Sequence, residues 1–367
     1  MVDQRLTKLA DILVNYSVKV QPGDWALIVS DPVADPLLAE VVIQVLKAGG
    51  HYNVVLSSET IDEAFYQYAN DEQLAWVSPI NQLAYEKVDH LISVRASQNT
   101  RSLAGIDPLK QQQRQRGLKE LLDVYRARSA SGDLHWVIGQ YPCLAYAQEA
   151  DMSLRDYEDF VFKACFADKD DPVAEWQAVH NEQARLIDWL TGKKDVVVRG
   201  PNVDLTLSIE DRSFINADGE KNMPSGEIFT SPVEDSANGW VNFTYPAVRA
   251  GREVEGVHLE FKDGKVVNAS AEKSEAYLIS QLDLDEGSRY LGEFAIGTNY
   301  GIQQFTKNIL FDEKIGGTFH MAIGNGFPQA GSKNKSIVHW DFICDMRDDS
   351  EILIDGELFY KNGKFQV

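Results

Sequence analysis

The pattern of hydrophobic and polar positions changes near the middle of the chain. In the first half, short apolar runs alternate with segments whose apolar residues recur at helical spacing. WALIVS at 25–30 is followed by the helical pattern LLAEVVIQVLKA, which ends at Gly49 and Gly50, and HYNVVLS follows at 51–57. Short apolar runs are typical of buried strands, and a strand–helix–strand order favours a parallel, right-handed unit. We therefore predict an N-terminal α/β domain with a parallel sheet.

The alternation continues beyond this first unit. The pattern predicts a helix near 61–79, a strand at 90–96, a helix near 107–128 and a strand at 134–139, and residues 153–191 read as helical. No G-x-G-x-x-G follows the first strand, so the sequence gives no support for a dinucleotide site.

From about residue 194 the chain consists of short segments in which apolar and polar residues alternate. HLEFK and KVVNAS flank Asp263 and Gly264, a strong signal for a two-residue hairpin, and a helix is expected near 272–286. This indicates an α+β C-terminal domain rich in antiparallel strands. We place the domain boundary near residue 190, with an N-terminal domain at 1–190 and a C-terminal domain at 191–367.

Composition narrows the class of protein. The 367 residues carry a formal net charge of −21, which opposes binding to nucleic acid or to an anionic membrane. A basic cluster at 110–128 reads as a solvated helix face. No apolar stretch of about 18 residues is present, so no transmembrane helix is expected, and the N-terminus reads as an amphipathic helix and not as a signal peptide. The three cysteines imply no disulfide framework, so a cytoplasmic location is expected.

The candidate chemistry lies in the last third of the chain. Four carboxylates and two histidines stand in apolar or glycine-rich surroundings, where an unpaired charge costs several kcal/mol. These candidate metal ligands are Glu227, Glu293, Glu313, His320, His339 and Asp341. His339 and Asp341 are two apart and share one face of a predicted strand, whose other face would be apolar.

Each candidate alone also fits an ordinary structural role, such as a surface glutamate at a turn or a half-exposed strand. Together, their four negative charges match two divalent cations, and Glu313 and His320 flank Gly316 and Gly317, which permit a tight turn. Six side chains with one bridging carboxylate are a plausible set of ligands for two metal ions about 3.5–4 Å apart. The residues therefore favour a two-metal hydrolase.

Longer segments carry a resemblance to a known family. NMPSGEIFTSPVEDSANGWVNFTYPAV, GREVEGVHLEF, LGEFAIGTN, FDEKIGGTFHMAIG and HWDFICDMR occur in this order, and YPCLAYAQEADMSLRDYEDFVFKACFADKDDPVAEW fits in the first half. Together they resemble the thermophilic aminopeptidase family, the group that contains aminopeptidases T and S. The similarity runs over nearly the whole chain.

The resemblance implies a cytoplasmic, homodimeric metallo-aminopeptidase that acts on peptides with a free N-terminus. By position, five of the candidates match the family's metal ligands: Glu227, Glu293, His320, His339 and Asp341. Glu293 matches the bridging carboxylate, and Glu313 matches a further acidic residue that acts as ligand or base. Two divalent ions per chain are implied, and zinc, cobalt, manganese and magnesium all suit these ligands.

One position departs from the family pattern. Phe327, in HMAIGNGFP, stands where family members typically have a tyrosine. If that tyrosine's hydroxyl stabilises the oxyanion, this chain lacks the donor, and losing one such donor can cost about 10²–10³ in rate; otherwise Phe327 only lines the substrate pocket. Two alternatives therefore stay open: a metal-dependent hydrolase of another amide or ester, and a peptide-binding protein without turnover.

Overall fold

The chain divides into two units. The structure, a computed structural model, describes residues 3–249 and 251–367. The first unit extends to Val173 and includes Gly219–Met223, and the second comprises Ala174–Asp218 and Pro224–Val367. The division falls in the first turn of the helix Pro172–Leu190, and Leu186 and Leu190 of this helix are buried in the second unit's core. The domain boundary that we place near 190 stays a prediction.

The first unit contains a parallel sheet flanked by helices, as the sequence predicts. Its four strands run in the order β2-β1-β3-β4, and all neighbours are parallel. The strands are β1 Trp25–Ser30, β2 His51–Leu56, β3 His90–Arg95 and β4 His135–Gln140. The helices are α1 Gln4–Asp11, α2 Asp35–Lys47, α3 Glu59–Tyr68, α4 Asp71–Ala75, α5 Pro79–Lys87, α6 Pro108–Gly117, α7 Lys119–Ser131, α8 Leu144–Glu149 and α9 Leu154–Ala164. A π-helix at Ile12–Ser17 follows α1, and a 3₁₀ turn at Pro32–Ala34 precedes α2.

Two of the predicted helices are interrupted. The helix expected near 61–79 is divided into α3 and α4, because Asn70 restarts the helix with a capping box to Gln73. The helix expected near 107–128 is divided after Gly117, where a Cβ atom would meet the backbone of Ala75 at 2.6 Å. Local capping and close contact between helices therefore override the longer apolar periodicity.

The basic cluster at 110–128 does more than face solvent. Lys110 donates a hydrogen bond to the carbonyl of Tyr66, and Arg114 donates to the carbonyl of Trp76. Cations near helix C-termini satisfy carbonyls that lack an intrahelical partner. The prediction of a purely solvated face is thus incomplete. Among the described residues, none of the helices has both the length and the hydrophobicity needed to span a membrane.

The second unit is built mainly from antiparallel strands, as predicted. One sheet has eight strands in the order β13-β12-β9-β6-β5-β17-β18-β19, and another has five in the order β16-β15-β14-β8-β7. The strands are β5 Asp195–Gly200, β6 Val203–Ser208, β7 Ile215–Ala217, β8 Glu227–Thr230, β9 Asn238–Asn242, β10 Ala247–Arg249, β11 Arg252–Val254, β12 His258–Lys262, β13 Lys265–Ser270, β14 Leu291–Gly297, β15 Thr318–Gly324, β16 His339–Asp345, β17 Glu351–Ile354, β18 Glu357–Lys361 and β19 Lys364–Phe365. The helices are α10 Pro172–Leu190, α11 Glu275–Leu282 and α12 Ile309–Asp312, with a 3₁₀ turn at Pro328–Ala330.

The predicted hairpin at Asp263 and Gly264 is confirmed. β12 and β13 pair antiparallel, and both turn residues have positive φ, at 49° and 78°. Two positive φ angles are the signature of the tight turn that Asp-Gly favours.

The core of the second unit joins its two large sheets. Val196 and Val198 of the eight-stranded sheet belong to the same buried cluster as Phe294, Phe319 and Phe342 of the five-stranded sheet. The apolar face predicted for the strand that contains His339 and Asp341 is confirmed, since that cluster contains Val338, Trp340, Phe342 and Cys344. Because side chains alternate along a strand, the polar residues of the five-stranded sheet lie on its opposite face.

Candidate metal centre

The order of strands in the five-stranded sheet brings the predicted ligands together. Glu227 begins β8, Glu293 lies in β14, His320 in β15, and both His339 and Asp341 lie in β16. These four strands are adjacent in the sheet. Residues that are far apart along the chain therefore become neighbours across strands.

Small residues oppose every one of these five side chains. Alanine or glycine is a cross-strand partner of each of them: Gly297 of Glu227, Ala322 of both Glu293 and Asp341, Ala295 of His320, and Gly324 of His339. Directly paired residues have Cβ atoms about 4.5–5.5 Å apart, so a large partner would occupy the space in front of the functional groups. The small partners therefore leave room beside these side chains, whereas the other cross-strand partner of His320 is the larger Ile343.

Glu313 reaches this face from a separate segment. It follows α12, and the chain then passes over Gly297, where a Cβ atom would lie 2.2 Å from the carbonyl oxygen of Ile315. The segment is held by Asn299, whose backbone N–H donates to Lys314 at 3.1 Å and whose carbonyl accepts from Gly316 at 3.0 Å. The backbone also approaches closely at Gly316, where a Cβ atom would lie 2.8 Å from the Cα atom of Tyr300.

The six predicted ligands form overlapping groups of three. Within each group, one ligand atom from each residue lies within 4.8 Å of the other two. The groups are Glu227, Glu293 and His320; Glu293, His339 and Asp341; and Glu313, His320 and Asp341. The structure thus brings all six candidates together.

Glu293 lies between the two histidines. Its Oε1 is 3.7 Å from Nε2 of His320, and its Oε2 is 3.3 Å from Nε2 of His339. Each oxygen of this one carboxylate therefore faces a different imidazole.

Buried polar atoms at the centre lack partners. Among the residues that the structure describes, four side-chain atoms here are buried without a hydrogen-bond partner: Glu227 Oε2, His320 Nδ1, His320 Nε2 and Asp341 Oδ1. Glu227 and His320 are only 5% and 1% exposed. Unsatisfied buried groups carry a substantial free-energy cost, and coordination to a cation would remove it. The donor set of carboxylates and imidazoles therefore fits divalent metal ions.

The imidazole of His339 is oriented by its other nitrogen. Nδ1 donates a hydrogen bond of 2.8 Å to the backbone carbonyl of Asn325. This bond leaves Nε2 directed toward Glu293 and Asp341, at 3.3 and 3.5 Å. Histidines that bind metal commonly use such a bond to fix their tautomer and ring orientation.

The pKa values of the ionisable groups indicate that the centre favours bound positive charge. Burial lowers the pKa of both imidazoles, yet the carboxylates outweigh it and raise the pKa of His320 to about 9 and that of His339 to about 12. Burial also works to raise the pKa of Glu293, but the two imidazoles bring it down to about 2. Glu227 differs, because burial raises its pKa to about 7 against the opposing effect of Lys314. A bound cation would therefore compete with protons for the same ligand atoms.

Lys314 is a part of the centre that the sequence interpretation missed. Its side chain is 1% exposed, and its ammonium pairs with Glu227 Oε1 at 2.6 Å and with Glu313. The predicted balance of four carboxylates against two divalent ions thus omits one fixed positive charge. The available signal was a lysine directly after Glu313 in a motif otherwise made of ligands and glycines.

Phe327 lies beside the centre. Its ring packs edge-on against the imidazole of His339, with centroids 5.4 Å apart, and against Phe229 at 4.8 Å. Its backbone N–H donates to Ser231 Oγ at 3.0 Å. The ring is thus part of the wall around a candidate ligand.

Comparisons with known proteins identify the family. The model of the thermophilic metalloprotease family (M29) matches residues 2–365. The chain belongs to this family.

The relatives agree with the resemblance noted in the sequence. Aminopeptidase 2 of Geobacillus stearothermophilus is 27% identical over an alignment 402 residues long. The alignment covers 99% of this chain and 95% of that protein. The solved structure of AmpT from Thermus thermophilus superposes with a TM-score of 0.87 at 21% identity and covers 99% of both chains. The predicted fold class is therefore confirmed.

A more distant structure shares the fold but has a different name. A 2,5-dihydroxypyridine dioxygenase from Pseudomonas putida KT2440 has a TM-score of 0.59 at 12% identity, over 100% of this chain and 98% of that one. Since one fold supports different chemistries, the function has to be argued from the site.

The close approach over Gly297 generates a test of the centre's geometry. Gly297→Ala should displace the segment that carries Glu313 and Lys314, because the added Cβ meets backbone at 2.2 Å. We expect divalent-ion binding to weaken about 10–100-fold, as when groups that support metal ligands are lost. Isothermal titration calorimetry with Zn²⁺ measures the affinity. Gly105→Ala, where nothing lies within 4 Å of the added atom, is the matched control; equal affinities in the two variants would contradict this geometry.

Proposed function

We propose that this chain is an aminopeptidase that removes N-terminal residues from peptides and uses two divalent metal ions. Family membership supports a peptide hydrolase, and Aminopeptidase 2 of Geobacillus stearothermophilus supports the choice of an aminopeptidase. The observation that carries the two-metal proposal is the position of Glu293, whose two oxygens face different histidines.

The ligands divide into two sites that share Glu293. One ion would be held by Glu227, Glu293 and His320, and the other by Glu293, His339 and Asp341, which are two of the groups whose ligand atoms converge. Zinc, cobalt, manganese and magnesium all remain compatible with this mixture of carboxylate and imidazole. Bound ions of this kind activate water and polarise the scissile carbonyl.

Glu313 is our candidate for the general base. Its carboxylate accepts a hydrogen bond from Lys314, and it also places an oxygen within 4.8 Å of ligand atoms of His320 and Asp341. A carboxylate in this position can accept a proton from the attacking water and deliver it to the leaving amine. A role as a metal ligand is the other possibility for Glu313.

The proposal also includes attraction of the substrate's free amino group to the centre. The centre collects four carboxylates, from Glu227, Glu293, Glu313 and Asp341, in a chain whose net charge is −21. A positively charged N-terminus is attracted to such a field. Phe327, packed against His339, would form an apolar wall for the first side chain. A homodimer and a cytoplasmic location stay predictions.

Glu293→Gln tests the proposed bridge. The amide lacks the negative charge that binds both ions, so we expect turnover to be lost and the metal content to fall from about two ions per chain to one or none. Metal analysis after dialysis, together with a fluorogenic amino-acyl assay, measures both effects. Far-ultraviolet circular dichroism should show an unchanged fold. Wild-type turnover in this variant would defeat the assignment.

The same assay separates an aminopeptidase from the alternatives. Metal-loaded wild-type protein should hydrolyse substrates with a free α-amino group and should fail on their N-acetylated counterparts. Equal cleavage of both would indicate a different amide or ester hydrolase. Two bound ions without hydrolysis of any amino-acyl substrate would indicate a peptide-binding protein.

Phe327→Tyr tests the departure from the family pattern. If a hydroxyl beside His339 can donate to the oxyanion, kcat should rise at least about tenfold while KM changes little, since a donor to the transition state acts on the chemical step. Steady-state kinetics with one amino-acyl substrate distinguish the two constants. An unchanged kcat would mean that residue 327 only lines the pocket.

A further inference from the structure

Lys314 is a buried cation shared by two carboxylates of different function. Its Nζ lies 2.6 Å from Glu227 Oε1 and also donates to Glu313 Oε1. Lysine is among the residues least often buried, because removing its charge from water is costly unless the charge is paired. A fully buried ammonium that pairs with one proposed ligand and with the proposed base therefore requires an explanation.

The backbone places this ammonium firmly. The carbonyl of Lys314 accepts from the N–H of Asn299, and the neighbouring Thr298 donates its N–H to the carbonyl of Gly226 at 2.9 Å. Glu227 is the next residue and pairs with Gly297 in the sheet. The segments that carry Lys314 and Glu227 are thus tied to the same short stretch of chain at 297–299.

The ammonium occupies only one oxygen of Glu227. The second oxygen, Oε2, is buried without a hydrogen-bond partner among the described residues and lies 3.4 Å from Nε2 of His320. With Oε1 held, the carboxylate cannot rotate freely, and Oε2 stays directed at the metal site. Supporting hydrogen bonds of this kind orient metal ligands, and losing them typically weakens metal binding 10–100-fold.

We propose that Lys314 is a positioning residue that holds Glu227 as a single-oxygen metal ligand and holds Glu313 in place for proton transfer. The inference rests on the proposed function, since it assumes the metal site beside Glu227. Lys314 would then support both the retention of the metal and the chemical step.

A simpler role for Lys314 predicts the opposite effect on metal binding. If the ammonium only balanced charge, its removal would eliminate a cation that repels the metal ions, and binding would become tighter. If the ammonium positions Glu227, its removal frees the carboxylate and binding becomes weaker. The sign of the change in affinity therefore separates the two roles.

The experiment compares Lys314→Met and Lys314→Arg with the wild-type chain. Calorimetric titration of metal-free protein with Zn²⁺ gives the dissociation constants without any need for turnover. We expect Lys314→Met to bind one ion about 10–100-fold more weakly. Lys314→Arg keeps the charge but moves the donor atoms, so binding should weaken there too, which keeps the test valid if the methionine variant fails to fold. Unchanged or tighter binding in the variants that fold would overturn the proposal.

A neighbouring residue provides the control. Ile315→Ala shortens a fully buried side chain on the same segment and leaves Lys314 and both carboxylates unsubstituted. Its Zn²⁺ affinity should match that of the wild type, whereas a loss equal to that of Lys314→Met would mean that general loosening of the segment explains the effect.

A kinetic measurement tests the contact with Glu313. Under saturating metal, Lys314→Met should lower kcat more than it raises KM, because a displaced base affects the chemical step. An unchanged kcat would overturn this half of the proposal. Wild-type protein that binds two ions without hydrolysing amino-acyl substrates would defeat the proposed function and leave the affinity test intact.

Discussion

Glu293 holds a negative charge on the face of a sheet where it is only 4% exposed, and a carboxylate in such a place needs positive charge close to both of its oxygens. Imidazoles face it from both sides, His320 at 3.7 Å and His339 at 3.3 Å, and a bound cation would compete with their protons. The other acidic groups increase the demand, and Lys314 meets only part of it, at Glu227 and Glu313. The five-stranded sheet holds the charged carboxylate of Glu293 in place.

Several backbone features serve the same purpose. Antiparallel pairing puts the strands that carry the candidate ligands side by side, and each candidate in the sheet has an alanine or a glycine as a cross-strand partner. The other face of the sheet is anchored by aromatic residues such as Phe294, Phe319 and Phe342 in the core of the second unit. A rigid strand with one apolar face can hold a polar group more precisely than a loop can, because packing locks its backbone. Glu313 and Lys314 come from outside the sheet, and there Gly297 permits the approach.

The sequence predicted much of this arrangement because alternation in strands and the tight Asp263–Gly264 turn are local properties. The separation of Val338, Trp340, Phe342 and Cys344 from His339 and Asp341 follows from side-chain period alone. The order β16-β15-β14-β8 could not be obtained in this way, since strand neighbours depend on long-range packing. Lys314 was missed for a related reason, because its burial depends on the approach of its segment to Gly297, which is distant along the chain. The interrupted helices after β2 and β3 reflect capping by Asn70 and contact at Gly117, which compete with apolar periodicity.

The most direct test of the central claim is anomalous diffraction at the zinc edge from crystals of the protein grown with Zn²⁺. The account predicts two peaks about 3.5–4 Å apart, one on each side of the Glu293 carboxylate, with His320 on the first ion and His339 on the second. A single peak, or two peaks that do not share Glu293, would contradict it.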